Sequence, residues 1–219
     1  MNIMKNYNTI SRHILFLCVI AMSTVPANTS AHESNLYGII GYNSWNERQF
    51  TINGANIEFE QRYAIPGFNY TYLFRKGLAI TVGVESGSID LIADSSTNTF
   101  DNYADFGNIK NIHAQGRYYF SSSTLRSYIG AGAGNDDIII HASGYRTAAN
   151  AELYGAAFST SLGIEAEIYN RLGFILEYKH NNIFLHDTAA NMIRTSSREI
   201  ILGIRIRVGH KHDTFRWDR

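Results

Sequence analysis

Between residues 35 and 208 the chain repeats one pattern. Segments of ten or more residues alternate apolar with polar side chains, and the segments are separated in turn by very short and much longer polar stretches. A period of two is that of a β-strand with unlike faces, and the parity of the connections constrains the fold more than any one segment does. The segments fall at 35–46, 62–74, 78–90, 109–120, 126–136, 152–169, 172–183 and 197–208. The connections after the second, fourth and sixth are Arg75-Lys76-Gly77, Ser121 to Leu125 and Asn170-Arg171, each short enough for a tight hairpin. Those after the odd segments, 47–61, 91–108, 137–151 and 184–196, are long and rich in Asn, Asp, Ser, Thr and Gly, as loops are. The expectation is an all-β, eight-stranded antiparallel up-and-down transmembrane β-barrel with short periplasmic turns and four long extracellular loops.

Alternation alone fits either a membrane barrel, polar inside, or a soluble lipocalin-like barrel, polar outside. On the last strand Ile200, Leu202, Ile204, Ile206 and Val208 oppose Glu199, Gly203, Arg205 and Arg207. The preceding two strands repeat this, with Leu172, Phe174, Leu176 and Tyr178 against Gly173, Glu177 and Lys179, and with Phe158, Leu162, Ile164 and Ile168 against Ser159, Ser161, Gly163, Glu165 and Glu167. Earlier strands set Ile112, Ala114, Tyr118 and Phe120 against His113, Gln115, Arg117 and Tyr119, and Leu78, Ile80, Val82 and Val84 against Thr81, Gly83 and Glu85. Glycine blurs the phase of the first and fifth strands. Three features favour the membrane form. Glycines gather on the polar face, where a narrow barrel is crowded. Tyr70, Tyr72, Phe74, Tyr118 and Phe120 lie beside short turns, as an interfacial girdle would. The third is an N-terminal export signal.

Lys5, Arg12 and His13 precede the apolar run Ile14 to Met22, which is followed by small residues. This is the layout of a secretory signal peptide, with cleavage after Ala27 or Ala31, and the run is too short to span a bilayer as a helix. Taking residues 1–31 as the signal leaves a barrel at 32–208 and a periplasmic tail at 209–219. Cys18 is the only cysteine and lies in the signal, so the exported chain has neither disulfides nor thiol chemistry. Charged residues make up 17%, below the usual quarter or so. Lys plus Arg and Asp plus Glu both number 19, which removes the basic footprint that nucleic-acid binding needs.

The Tyr128-Ile129-Gly130-Ala131-Gly132-Ala133-Gly134 strand, the hairpin rhythm and the terminal Gly203-Ile204-Arg205-Ile206-Arg207-Val208 segment together resemble the small eight-stranded outer-membrane proteins of the OmpX and Ail type, and the opacity-like and OmpA-like barrel surface proteins. The resemblance runs to about Val208. It implies a monomer in the cell outer membrane, contact with outer-membrane lipid, and adhesion, invasion or evasion of host defence through host surface or serum proteins, or envelope integrity. It also implies that Gly203, Ile206 and Val208 form the recognition signal for the barrel-assembly machinery. That signal normally ends a chain in an aromatic residue, whereas here eleven residues follow Val208. No loop motif selects one subfamily.

Counted from the short-turn end, Arg117, Glu165, Glu177 and Arg205 stand at similar depths on the polar faces, with Glu85, Glu167, Lys179 and Arg207 able to extend the set. An eight-stranded barrel is filled by its own side chains, so these charges read as an internal salt-bridge core rather than a proton or ion path. No catalytic set or metal motif converges, and no cofactor is implied. His180 and His186 near Asp187, and His210 and His212 in the tail, lack metal-site spacing. The enzymatic alternative, a lipid A deacylase-like hydrolase, would rest on His141 and Ser143 in the third long loop with Glu152 downstream, away from the wall where a lipid ester lies. The first loop (Phe50, Thr51, Ile52, Ile57, Phe59) and the third (Ile138, Ile139, Ile140) are strand-like and apolar, which predicts hairpins continuing above the bilayer.

Overall fold

A computed structural model describes residues 33–45, 49–52, 55–59, 63–74, 77–93, 104–120, 124–143, 148–169, 171–186 and 192–208. The proposed signal peptide and tail lie outside them. Ten strands are present: β1 Glu33–Trp45, β2 Gln49–Ile52, β3 Ala55–Phe59, β4 Tyr63–Leu73, β5 Leu78–Ala93, β6 Ala104–Tyr119, β7 Leu125–Ser143, β8 Ala148–Tyr169, β9 Leu172–His186 and β10 Met192–Arg207. Eight of them, β1 and β4 to β10, form a closed antiparallel ring in which each pairs with its sequence neighbours. β1 and β10 close it, from Asn35↔Arg207 to Trp45↔Ser197. Closure leaves no edge within the ring.

Every second side chain points into the tube. On β10 the inward positions include Ser197, Glu199, Ile201, Arg205 and Arg207, all buried, while Ile200, Leu202, Ile204, Ile206 and Val208 are about half exposed. The same inversion holds on each side of the ring, with Leu36, Ile40, Phe68, Ile80, Val84, Ile129, Leu162, Ile164, Phe174 and Leu176 outward and accessible. A lipocalin-like barrel would hide these residues; here they form a continuous apolar belt. From Ile200 to Val208 is about 26 Å along the strand, or about 20 Å of height at a tilt of about 40°, close to the apolar band of a membrane barrel.

The tight turns lie at one end. Phe74 N–H donates to Leu78 O (2.7 Å) and Phe120 N–H to Ser127 O (2.9 Å), and Gly77 adopts φ = 78°, which only glycine takes without strain. The aromatic pairs Tyr72–Phe74 and Tyr118–Phe120 meet edge to face beside these turns, with centroids 4.9 and 5.4 Å apart. A bulge at Glu167/Tyr169 turns both Ile168 and Tyr169 outward at the same rim.

Strand ends differ from the sequence reading at the other end. β6 begins at Ala104 rather than 109, β7 runs to Ser143 rather than 136, β8 begins at Ala148 rather than 152, β9 runs to His186 and β10 begins at Met192. The loops expected at 137–151 and 184–196 are therefore largely strand, and that at 91–108 is strand at both ends, 91–93 and 104–108. His141 and Ser143, expected in a loop, belong to β7, opposite Asn150 and Ala148, and Glu152 on β8 stands opposite Ile139. Above the membrane the outer face of a hairpin meets water, so alternation fades although pairing continues. The first loop contains the β2–β3 hairpin, and β3 adds to β5 through Ile57↔Ala93 to Phe59↔Leu91. Between β4 and β5 the ladder ends at Gly67↔Glu85. Pro66, with no N–H to give, occupies the next position.

Candidate functional site

The tube interior is built in three layers. Nearest the turns, Glu165 on β8 is fully buried and accepts hydrogen bonds from Tyr37 Oη (2.8 Å) and Tyr119 Oη (2.5 Å) on one oxygen and from Arg126 Nη2 (3.0 Å) and Arg205 Nη1 (3.4 Å) on the other. Glu33 takes a forked pair from Arg126 at 2.9 and 3.2 Å and the Asn35 amide at 2.9 Å. Arg207 bonds Glu167, which also lies 3.5 Å from Arg205. One step up, Glu177 receives Arg117 Nη2 and Tyr128 Oη, both at 2.6 Å, and Arg117 Nε donates to Gln115 at 2.7 Å. The Arg117 guanidinium lies 4.5 Å from the Tyr128 ring centre and that of Arg126 5.3 Å from Tyr119, within cation–π range. A Cβ on Gly163 would collide with the Tyr128 ring, so this glycine makes room for it. Four arginines (117, 126, 205, 207) face four glutamates (33, 165, 167, 177): the layer is balanced.

The middle layer centres on Lys179, whose Nζ lies 3.2 Å from Glu85 and 3.0 Å from Glu199. His113 Nδ1 sits 2.8 Å from Asn111 Oδ1 and 3.7 Å from Glu85, and Asn111 donates to Asp136. Above it lies an apolar plug of Trp45, Ile65, Ile109, Ile138, Leu153, Ala157, Ile183 and Leu185. A cavity of about 10 Å³, measured at the centre of a water-sized sphere, lies between middle layer and plug, room for about one water. No hydrated ion fits there.

Arg117, Glu165, Glu177 and Arg205 thus meet in one layer, Arg207 and Glu167 join them, and Lys179 with Glu85 forms the layer above. The sequence reading placed Glu199 and Tyr119 on polar faces but left them out of the internal charge set, and it did not include Glu33, Arg126, Asp136, Tyr37 or Tyr128. Glu33 precedes the start assigned to the first strand, and Arg126 opens the glycine-blurred one. Counting Gly130, Gly132 and Gly134 as inward would have set the phase of β7 and brought in Arg126, Tyr128 and Asp136. Gly203 is inward and half-buried, while Ile206 and Val208 face outward; Val208 N–H donates to Ser34 O at 2.8 Å. Among the described residues no three His, Cys, Asp or Glu side chains are disposed to hold a metal.

The wall is uneven. β5 to β8 span 16, 16, 19 and 22 residues, against 13 for β1 and 11 for β4. The β7–β8 ladder continues to Ser143↔Ala148, whereas β8 and β9 pair only from Tyr154↔His186 downward. From Phe158 to Ala148 this sheet rises about 25 Å beyond the belt at a tilt of about 40°. Its margins are β2 on one side and the top of β8 on the other.

No family model matches the chain, and no curated protein matches it in sequence. Solved structures do match. The outer membrane protein OprG from Pseudomonas aeruginosa superposes with a TM-score of 0.61 at 11% identity, over 82% of this chain and 97% of that one. The fold is that of the small outer-membrane barrels. Outer membrane protein AlkL, solved in lipid bilayers, aligns at TM-score 0.52 and 11% identity over 87% and 98% of the two chains. Neisserial surface protein A aligns at 0.51 and 13% over 81% and 97%. Identities this low carry the fold alone. Joined to the outward apolar belt and the charged interior, the fold places the chain in the outer membrane.

Proposed function

We propose that the chain is a non-enzymatic surface protein that meets its partners through the sheet standing above the membrane. The observation that carries this reading is the pair of sheet margins, β2 and the upper part of β8, that have no strand partner among the described residues and are held clear of the lipid by the tall β5–β8 wall. A free strand edge presents a row of backbone donors and acceptors and can take up an extended segment of another protein. Adhesion to host surface or serum proteins uses such an edge; a role in envelope integrity uses the barrel alone. Within this reading the internal charges are a structural core, the barrel acts as a monomer, and Gly203, Ile206 and Val208 serve the barrel-assembly machinery. The test compares cells carrying the full chain with cells in which 49–59 is replaced by a Gly-Ser linker. Loss of host-cell or serum-protein binding, with the barrel still heat-modifiable on gels, is expected. Unchanged binding, or release of fatty acid from lipid A or phospholipid by the purified barrel, would overturn the proposal.

A further inference from the structure

The middle layer of the tube holds more negative charge than it pairs. β5 brings Glu85, β7 Asp136 and β10 Glu199, each between 1 and 4% exposed. Facing them are Lys179 from β9 and His113 from β6, while β1, β4 and β8 contribute the neutral Asn43, Asn69, Ser159 and Ser161. Directly below, Arg117 and Glu177 are already matched at 2.6 Å, and the plug above has no ionisable group. Three carboxylates thus face one cation if His113 is neutral and two if it is charged. The floor beneath is balanced; this layer is not.

The three carboxylates are unequally served. Glu85 lies 3.2 Å from Lys179 Nζ and 3.7 Å from His113 Nδ1. Glu199 lies 3.0 Å from the same Lys179, but its Oε1 has no hydrogen-bond partner. Asp136 forms no ion pair among the described residues; the Asn111 amide donates to it, and Asn111 Oδ1 is in turn 2.8 Å from His113 Nδ1. A buried carboxylate that lacks a cation loses its charge by keeping a proton. The small cavity shows the same surplus in its hydrogen bonding. Asn43, 6% exposed, lines it together with Asp136 and Glu199, and Asn43 Oδ1 has no hydrogen-bond partner. Two acceptors of residues around one cavity therefore lack a donor. A proton turns a carboxylate oxygen, which only accepts, into a hydroxyl that donates. A water there would offer donors but leave the charge excess as it is.

We propose that the middle layer is a proton-binding site, in which Asp136 and Glu199 each hold a carboxyl proton inside the folded barrel and Glu85 alone stays ionised, against Lys179. With neutral His113 donating from Nδ1 to Asn111, the layer then carries no net charge. The protons are stored rather than conducted, because the apolar plug closes the tube above them. In the unfolded chain both carboxyls meet water and ionise above about pH 4. The folded barrel then binds more protons than the unfolded chain, so its stability falls as pH rises. Acid fixes the layer and alkali loosens it, directly beneath the plug through which Ile138 and Leu153 anchor the tall β7–β8 sheet. The site is independent of what that sheet binds.

The test is urea unfolding of the barrel in detergent, followed by its heat-modifiable gel band, from about pH 5 to about pH 9. The unaltered chain is compared with Asp136→Asn/Glu199→Gln, whose amides stand in for protonated carboxyls; the difference cancels His113 and every other titrating group the two share. The unfolding constant of the unaltered chain should rise relative to that of the variant by up to about tenfold per pH unit for each proton, leaving the variant the more stable at about pH 8. Glu85→Gln, which takes from Lys179 its ionised partner, should instead lower the urea midpoint at every pH. Infrared spectra of the unaltered barrel at about pH 7 should show the carbonyl band of a protonated carboxyl, weakened by Asp136→Asn and by Glu199→Gln, a readout that does not need the double variant to fold. A difference that does not change with pH, a variant weaker than the unaltered chain at about pH 8, or absence of the carboxyl band would each overturn the assignment. So would a urea midpoint raised by sodium over choline chloride at equal ionic strength, which would make the neutralising ion a metal rather than a proton.

Discussion

Glu165 and Leu153 lie twelve residues apart on the same strand, and both are buried inside the tube. Around Glu165 stand two tyrosine hydroxyls and two guanidinium groups; around Leu153 stand Trp45, Ile109, Ile138 and other apolar side chains. The two regions fill the same narrow space by opposite means. The ionic layer is held by complementarity. An ion pair taken out of water gains little net free energy, but removing one partner strands the other charge at a cost of about 3–5 kcal/mol. The apolar plug is held by contact area, and its losses scale with the atoms removed and the void they leave. A tube closed by both has a satisfied floor and a dry ceiling, and a cavity with room for about one water lies at their junction.

The largest effect expected from breaking this contrast is that of Glu165→Ala, which leaves Arg126 and Arg205 without their shared carboxylate oxygen. Stability should fall by about 4 kcal/mol, read as a lower urea midpoint for loss of the folded gel band. Leu153→Ala should cost about 3 kcal/mol through its cavity; unlike the first, it should be largely insensitive to ionic strength in refolding assays. The pair can be sharpened by double substitution. Arg117→Met with Glu177→Leu should destabilise less than Arg117→Met alone, because it removes both charges rather than stranding one. Equal or additive losses would show that the ionic layer is not coupled. Tyr128→Phe, which removes a single donor to Glu177, should cost about 1–2 kcal/mol. Leu202→Ala on the lipid face should cost less than about 1 kcal/mol, since lipid tails replace the lost contacts.

How much of this could be read from the sequence follows the same division. Strand number, connection parity and the inward set Glu85, Arg117, Glu165, Glu177, Lys179, Arg205 and Arg207 were legible wherever hydrocarbon outside and polar packing inside force the two faces apart. The upper strand ends were not. Ile138, Ile139 and Ile140 carry no alternation, yet β7 passes straight through them, because water on the outside no longer demands an apolar face. Nor could sequence spacing show that Tyr37, Tyr119 and Tyr128 point their hydroxyls into the glutamates, or that a plug of aliphatic side chains crowns a polar interior. Those contacts join residues 46 to 128 positions apart, and only the register of the closed ring brings them together.

The central claim is the inversion of the wall: lipid against the even positions of β10 and packed polar groups against the odd ones. The direct test is a nitroxide scan of residues 199–206 in a Cys18→Ser background, with the barrel in bilayers and collision rates measured for oxygen and for a water-soluble nickel chelate. Positions 200, 202, 204 and 206 should show high oxygen and low nickel accessibility, with 199, 201, 203 and 205 low in both. High nickel accessibility at 199, 203 and 205, with the even positions shielded from both reagents, would mean a soluble barrel with its faces the other way round.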